Sequence, residues 1–173
     1  MIIRSAEPGD AQALVALAGE VGREEGAWLL AKDAGRGASE ERRYLRAVRR
    51  HPDAAVYVVE DGDRIVGRLS LARDAHPASR HVADLGLMVS PSHRRRGVGR
   101  TLLEQAVTWA GMAGILKLEL HVFPWNEPAI SLYESFGFVR EGIRRRHYLR
   151  DGELVNVILM AFDLDPSDRD SIA

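Results

Sequence analysis

The chain has 173 residues, enough for one domain with its own core and too few for two ordinary ones. Its 24 basic and 25 acidic side chains leave a formal charge of -1, so the overall basic footprint of a nucleic-acid binder is missing. There is no cysteine, which excludes disulfides, thiolate zinc sites, iron–sulfur clusters and a cysteine nucleophile.

Ile2 to Ser5 reads as a short strand, and Asp10 is set to cap a helix carrying Leu14, Leu17 and Val21 at helical spacing. Gly22 to Ser39 is irregular and glycine-rich. Ser39, Glu40 and Glu41 open a second helix that runs to His51 and stops at Pro52. The period then changes to that of strands. Ala54 to Glu60 and Arg64 to Ala72 flank Asp61-Gly62-Asp63, a hairpin signal, and His81 to Val89 is a further strand. Val98 to Ala113 reads as a helix with Leu102, Leu103, Ala106 and Ala110 on one face.

Ile115 to Phe123 alternates, with Leu116, Leu118, Leu120 and Val122 on one face and Lys117, Glu119 and His121 on the other. Asn126 caps a helix ending at Gly137. Phe138 to Arg150 and Glu153 to Leu164 form a hairpin about Asp151-Gly152. The expected fold is α/β: one domain over residues 1–164, a mixed sheet of about six to seven strands and about four helices, then a polar tail over 165–173. The N-terminal stretch lacks a signal-peptide pattern and no run nears the roughly 18 apolar residues of a membrane span, so a cytoplasmic, membrane-free protein is expected.

Chemistry concentrates between Leu85 and Leu103. A strand enters a loop, and Gly97 and Gly99 sit where a helix begins. Free amides there point at an anion, and Arg94, Arg95, Arg96 and Arg100 surround the opening, so the segment suits a diphosphate. It is not a P-loop, since GxxxxGK is absent, and Leu102 stands where a dinucleotide fingerprint needs its third glycine. His76 and His81 are not spaced as metal ligands, and no metal site is expected.

Arg94-Arg95-Arg96-Gly97-Val98-Gly99 resembles the acetyl-CoA loop of the Gcn5-related N-acetyltransferases. The run PWNEPAISLYESFGF strengthens the resemblance, with Asn126 and Tyr133 seven residues apart and Gly137-Phe138 following. The resemblance implies an acetyl-CoA-dependent N-acetyltransferase. Leu87, Met88 and Val89 would meet the pantetheine arm, and the Val89 N–H would polarise the thioester carbonyl. The loop Arg94, Arg95, Arg96, Gly97, Val98, Gly99 and Arg100 would hold the pyrophosphate. Asn126 would bind the cofactor arm, and Tyr133 would protonate the leaving thiolate. Arg95 departs from the glycine or lysine of many relatives.

Read without the resemblance, Tyr133 shares a helical face with Ala129, Leu132 and Phe136 and is a core residue. Asn126 is also a plain helix cap. The base is open among His121, Glu119 and Asp84 in that order, with His81 fourth; His121 leads on a reference pKa of about 6.5. Arg144-Arg145-Arg146 reads as a solvated strand segment that could meet the 3′-phosphate of CoA or an acidic partner.

The expected acceptor is a small-molecule amine or amino acid, selected by Gly22–Gly37 and Phe123-Pro124-Trp125, with Trp28 and Trp125 as apolar walls. Protein N-terminal acetylation and a non-catalytic acyl-CoA sensor are the alternatives. The C-terminal hairpin is a candidate homodimer surface.

Overall fold

The computed structural model describes residues 1–26 and 37–165. These form β1 (Ile2–Ser5), α1 (Ala11–Gly22), α2 (Ala38–Val48), β2 (Ala54–Asp61), β3 (Arg64–Arg73), β4 (Val82–Val89), α3 (Val98–Ala113), β5 (Lys117–Val122), α4 (Glu127–Phe136), β6 (Val139–Arg150) and β7 (Glu153–Asp163). One seven-stranded sheet has the order β1-β2-β3-β4-β5-β7-β6. Among the described strands, β4 and β5 alone pair in parallel, as the crossover through α3 requires; every other pairing is antiparallel. The expected class, strand count and helix count are all met.

The sheet has a core on each face. Leu102, Leu103, Ala106 and Ala110 of α3 are fully enclosed against Leu69, Leu71, Ala83, Leu118 and Leu120 of β3, β4 and β5. Truncating one such leucine to alanine removes contacts worth about 2–5 kcal/mol. On the other face Leu14 of α1 and Leu45 of α2 pack on Val56 and Val58 of β2. A buried ion pair, Arg68 Nη1 to Glu41 Oε1 at 3.0 Å, ties α2 to β3.

Three local expectations are corrected. Asp10 precedes α1 but does not cap it: its carboxylate accepts from the Glu7 N–H (2.7 Å) and from Arg4 (2.7 and 2.8 Å), because a two-pronged arginine is the stronger partner. Helix α2 starts at Ala38 with Gly37 in the capping position, one residue before Ser39, and ends at Val48. Leu116 precedes β5 and is 53% exposed, so the buried stripe begins at Leu118.

Candidate active site

Strands β4 and β5 part company. They pair at Val82↔Lys117, Ala83↔Leu118 and Asp84↔Glu119, after which β4 runs on to Val89 beside β3 and β5 runs on to Val122 beside β7. The direction of each backbone group follows from bonds at the strand ends. Val82 O accepts from Asp74 and the Ser90 N–H donates to Val66 O, both toward β3; His81 O accepts from Leu116 and Lys117, toward β5. Strand alternation then turns the N–H and C=O of Leu87 and Val89 into the gap, where no described strand meets them. Met88 differs from its neighbours, since its backbone faces Arg68 of β3.

The gap leads into the start of α3. Gly97 sits at the helix cap with φ 85°, a left-handed conformation that costs an L side chain about 1–2 kcal/mol. Having no side chain, it caps nothing, and the first internal bond is Thr101 N–H to Gly97 O at 3.0 Å. The amides of Val98, Gly99 and Arg100 precede that bond and carry the positive end of the helix dipole. Space above Gly97 is open: apart from its chain neighbours, no described residue lies within 4 Å of where a Cβ would sit. Gly99 is small for another reason: a Cβ there would lie 2.7 Å from Leu132 Cδ2, so its absence lets α3 and α4 pack.

The arginines are less free than their run suggests. Arg94 grips Glu24 with both prongs (2.8 Å for Nη1–Oε1), Arg96 approaches Asp61 at 3.7 Å, and Arg100 pairs with Glu104 at 3.3 Å. Arg95 makes no ion pair among the described residues and has φ 57°, which explains why glycine suits this position. Behind the loop runs a polar chain that sequence reading missed. Ser90 Oγ donates to Glu20 (3.1 Å), Ser90 meets Ser92 (3.0 Å), Ser92 meets His93 Nδ1 (2.9 Å), and His93 Nε2 reaches Asp61 (3.2 Å). A Ser-Pro-Ser-His string is the signal that could have shown it.

At the start of α4, Asn126 Oδ1 accepts the Ala129 N–H at 3.3 Å, the expected cap, and its side-chain Nδ2 donates to no described residue. Tyr133 is buried beside Phe138, ring centroids 5.7 Å apart. Its hydroxyl bonds to no described residue, and loss of hydration pushes its pKa up to about 12.

The three base candidates share the sheet face opposite α3. Asp84 and Glu119 are neighbours across the last β4–β5 pair, and His121 lies two residues further along β5. The Asp84 carboxyl is pushed above the usual range by loss of hydration and then by the charges of Glu119 and Asp74. Glu119 is held by Lys117 Nζ at 2.9 Å, which also bonds Glu141 at 2.8 Å. His121 Nδ1 lies 3.0 Å from the Tyr148 hydroxyl, while Nε2 is buried with no partner among the described residues. Loss of hydration, then Arg144 and His147, push the His121 pKa down. His81 is exposed at the far end of β4, and its carbonyl bonds β5.

Sequence reading missed Tyr148, because a break in register brings it there. Arg144 faces Val157 and Tyr148 faces Val155, so Arg145, Arg146 and His147 oppose Asn156 alone. Arg146 has φ 52°, and its N–H donates to Asn156 Oδ1 at 2.8 Å. Such bulges re-aim side chains beside functional sites. Trp125 stacks on Phe123 at 4.5 Å, donates to Gly26 O at 3.2 Å, and walls a cavity of about 460 Å³ with Glu24, Glu25 and Arg150. Trp28, the other expected wall, lies outside the described residues. Among those residues no group of histidines and carboxylates could hold a metal ion, and no helix is long and apolar enough to cross a membrane.

Comparison with known proteins shows the family of the fold. An L-amino acid N-acetyltransferase of Escherichia coli K12 is 36% identical over 102 residues, 58% of this chain and 62% of the relative. The ribosomal protein bS18 alanine N-acetyltransferase of the same strain is 37% identical over 78 residues, 45% of this chain and 53% of the relative. The matched stretch thus spans less than two thirds of either relative. The crystal structure of a GNAT-family acetyltransferase from Streptococcus pneumoniae superposes with a TM-score of 0.84 at 28% identity, covering 95% of this chain and 99% of that one. Residues 13–138 match the family model, from α1 through the splayed strands and the uncapped helix to the end of α4, and the chain belongs to the acetyltransferase (GNAT) family.

Proposed function

We propose that the protein is an acetyl-CoA-dependent N-acetyltransferase, passing the acetyl group to a primary amine of a small molecule or amino acid by direct attack in a ternary complex. One observation carries the reading: the unpaired Leu87 and Val89 backbone groups run straight into the uncapped amides of α3. A long donor with amide groups in its arm and a diphosphate at its end fits that sequence of partners. On this reading residues 1–164 are the enzyme domain and 165–173 its polar tail.

When bound, acetyl-CoA supplies an acyl carbon activated by its sulfur. The chain's residues supply the rest. Leu87 and Val89 fix the arm in the gap, and the Val89 N–H donates to the acyl oxygen as negative charge grows there. Asn126 spends its oxygen on the α4 cap and keeps its amide nitrogen for the arm. Val98, Gly99 and Arg100 hold the anion, with Arg95, which makes no ion pair among the described residues, as a cation nearby. Orientation of two reactants in one cleft is itself a large part of the rate. With no cysteine in the chain, an acetyl-cysteine route is excluded.

Tyr133, with its pKa pushed to about 12, keeps its proton at every working pH. A thiol of pKa about 8.5 is the stronger acid, so in place of the full proton transfer that the resemblance implied for Tyr133, the phenol serves by hydrogen-bonding the leaving sulfur, and solvent completes the proton balance. The base belongs to the Asp84, Glu119 and His121 cluster. Acceptor choice falls to the rim around Trp125 and to residues 22–37.

The bS18-alanine relative supports a second reading, acetylation of a protein N-terminus. A panel of amino acids, amines and peptides, scored by acetyl-CoA-dependent CoA release, separates the two. Turnover with free amino acids above peptides is expected. Preference for peptides would favour the second reading, and no release with any amine would leave a binding module.

A further inference from the structure

A base must offer a reachable lone pair. His121 is only partly buried, but its Nδ1 is taken by the Tyr148 hydroxyl at 3.0 Å, and its Nε2 is buried with no partner among the described residues. A neutral imidazole has one donor and one acceptor nitrogen. If Nε2 carries the hydrogen, Nδ1 accepts from Tyr148, and the lone pairs of the phenol oxygen are left for something else. Tyr148 is half-buried, and its oxygen lies on the face shared by Asp84, Glu119 and His121, within the fields of Arg144 and Asp84.

The bulge makes this contact. Continued from Arg144↔Val157 without a break, the register would set Tyr148 opposite Glu153. The observed partner is Val155, two residues nearer, or roughly 7 Å along the strand. His147 comes with it, its ring 5.2 Å from that of His121 and 4.6 Å from that of Tyr148, and closes the histidine from that side.

We propose that Tyr148 is the group that receives the acceptor's proton and passes it to His121. As the ammonium N–H breaks, a new O–H forms on Tyr148, and the phenolic hydrogen moves to His121 Nδ1. The nitrogen lone pair so freed attacks the acyl carbon. His121 becomes an imidazolium, and its proton returns to solvent by the same path reversed. The inference rests on the acetyltransferase reading and names the proton route within it. The groups facing the pair are Glu119 from β5, Arg144 and His147 from β6, and Asp84 from β4. Loss of hydration, Arg144 and His147 oppose the imidazolium and Glu119 favours it, and the resulting downward shift of the His121 pKa favours the neutral, receptive ring.

Two measurements test the route. In the free protein, ¹⁵N NMR of the histidine rings should show His121 protonated at Nε2, with an Nδ1 resonance that shifts in Tyr148→Phe. Hydrogen on Nδ1 instead would overturn the relay, whatever the enzyme's substrate. In turnover, Tyr148→Phe should lower kcat/KM for the amine on the order of 10²-fold, leave acetyl-CoA affinity unchanged, and abolish the acidic limb of the pH profile. His121→Ala should do the same, and the double variant should be no worse than either single one. Wild-type turnover with an unchanged limb and rate in Tyr148→Phe sinks the relay alone. Absence of turnover in the wild type sinks the functional reading, and the relay with it.

Discussion

The anion loop at the start of α3 and the face built by β5 and β6 sit on one sheet but are specified differently. The loop is local: Gly97 takes φ 85° and leaves the amides of Val98, Gly99 and Arg100 open within a few residues of the strand that feeds it. The β5–β6 face is distant in sequence. His121 and Tyr148 are 27 residues apart, β7 lies between their strands, and three residues of β6 must crowd opposite Asn156 before the two meet. A local motif survives many changes around it, whereas a register-made contact depends on one turn of backbone.

The largest expected effect breaks the local side. Gly97→Glu should lower acetyl-CoA affinity on the order of 10²-fold or more in calorimetry, the equivalent of about two charge-assisted hydrogen bonds. The fold should survive, since open space lies above Gly97 and the conformational cost is about 1–2 kcal/mol. Next comes the step that joins the two regions. Tyr133→Phe keeps the ring against Phe138 and removes the hydroxyl's hydrogen bond to the leaving sulfur, so kcat should fall on the order of 10²-fold with melting temperature and acetyl-CoA affinity unchanged. Full activity would make Tyr133 a packing residue.

The register-made side should yield to a gentler change. Asn156→Ala deletes the acceptor of the Arg146 N–H and should lower kcat by about fivefold, the equivalent of one neutral hydrogen bond, without touching acetyl-CoA affinity. The smallest effect sharpens the contrast. Arg95→Gly relieves a left-handed arginine and should raise stability by up to about 1 kcal/mol in urea unfolding, the steric penalty less the entropy of glycine.

Legibility in the sequence follows the same division. Gly97, Gly99, Asn126 and Tyr133 sit at fixed short spacings on elements whose periods are clear, so their elements were readable and the structure keeps them. The roles of the two glycines were not equally readable, because Leu132, which forbids a side chain at Gly99, lies on another helix. The arginines read as a cationic cluster, yet Arg94 spends its charge on Glu24, 70 residues away. Nothing local in Arg144 to Tyr148 announces a bulge; its cause is a polar side chain on the facing strand. His121 leads the base candidates on its reference pKa, and alternation gives its face but not the Tyr148 hydroxyl that takes its Nδ1.

The central claim is that acetyl-CoA lies along the β4–β5 gap and ends on the amides of α3. Residue-resolved amide hydrogen exchange, with and without acetyl-CoA, tests it directly. The account predicts slowed exchange at Leu87, Val89, Val98, Gly99 and Arg100, with Met88 unchanged because its N–H already faces β3. Acetyl-CoA binding with no slowing at those amides, or with slowing confined to the rim around Trp125, would contradict it.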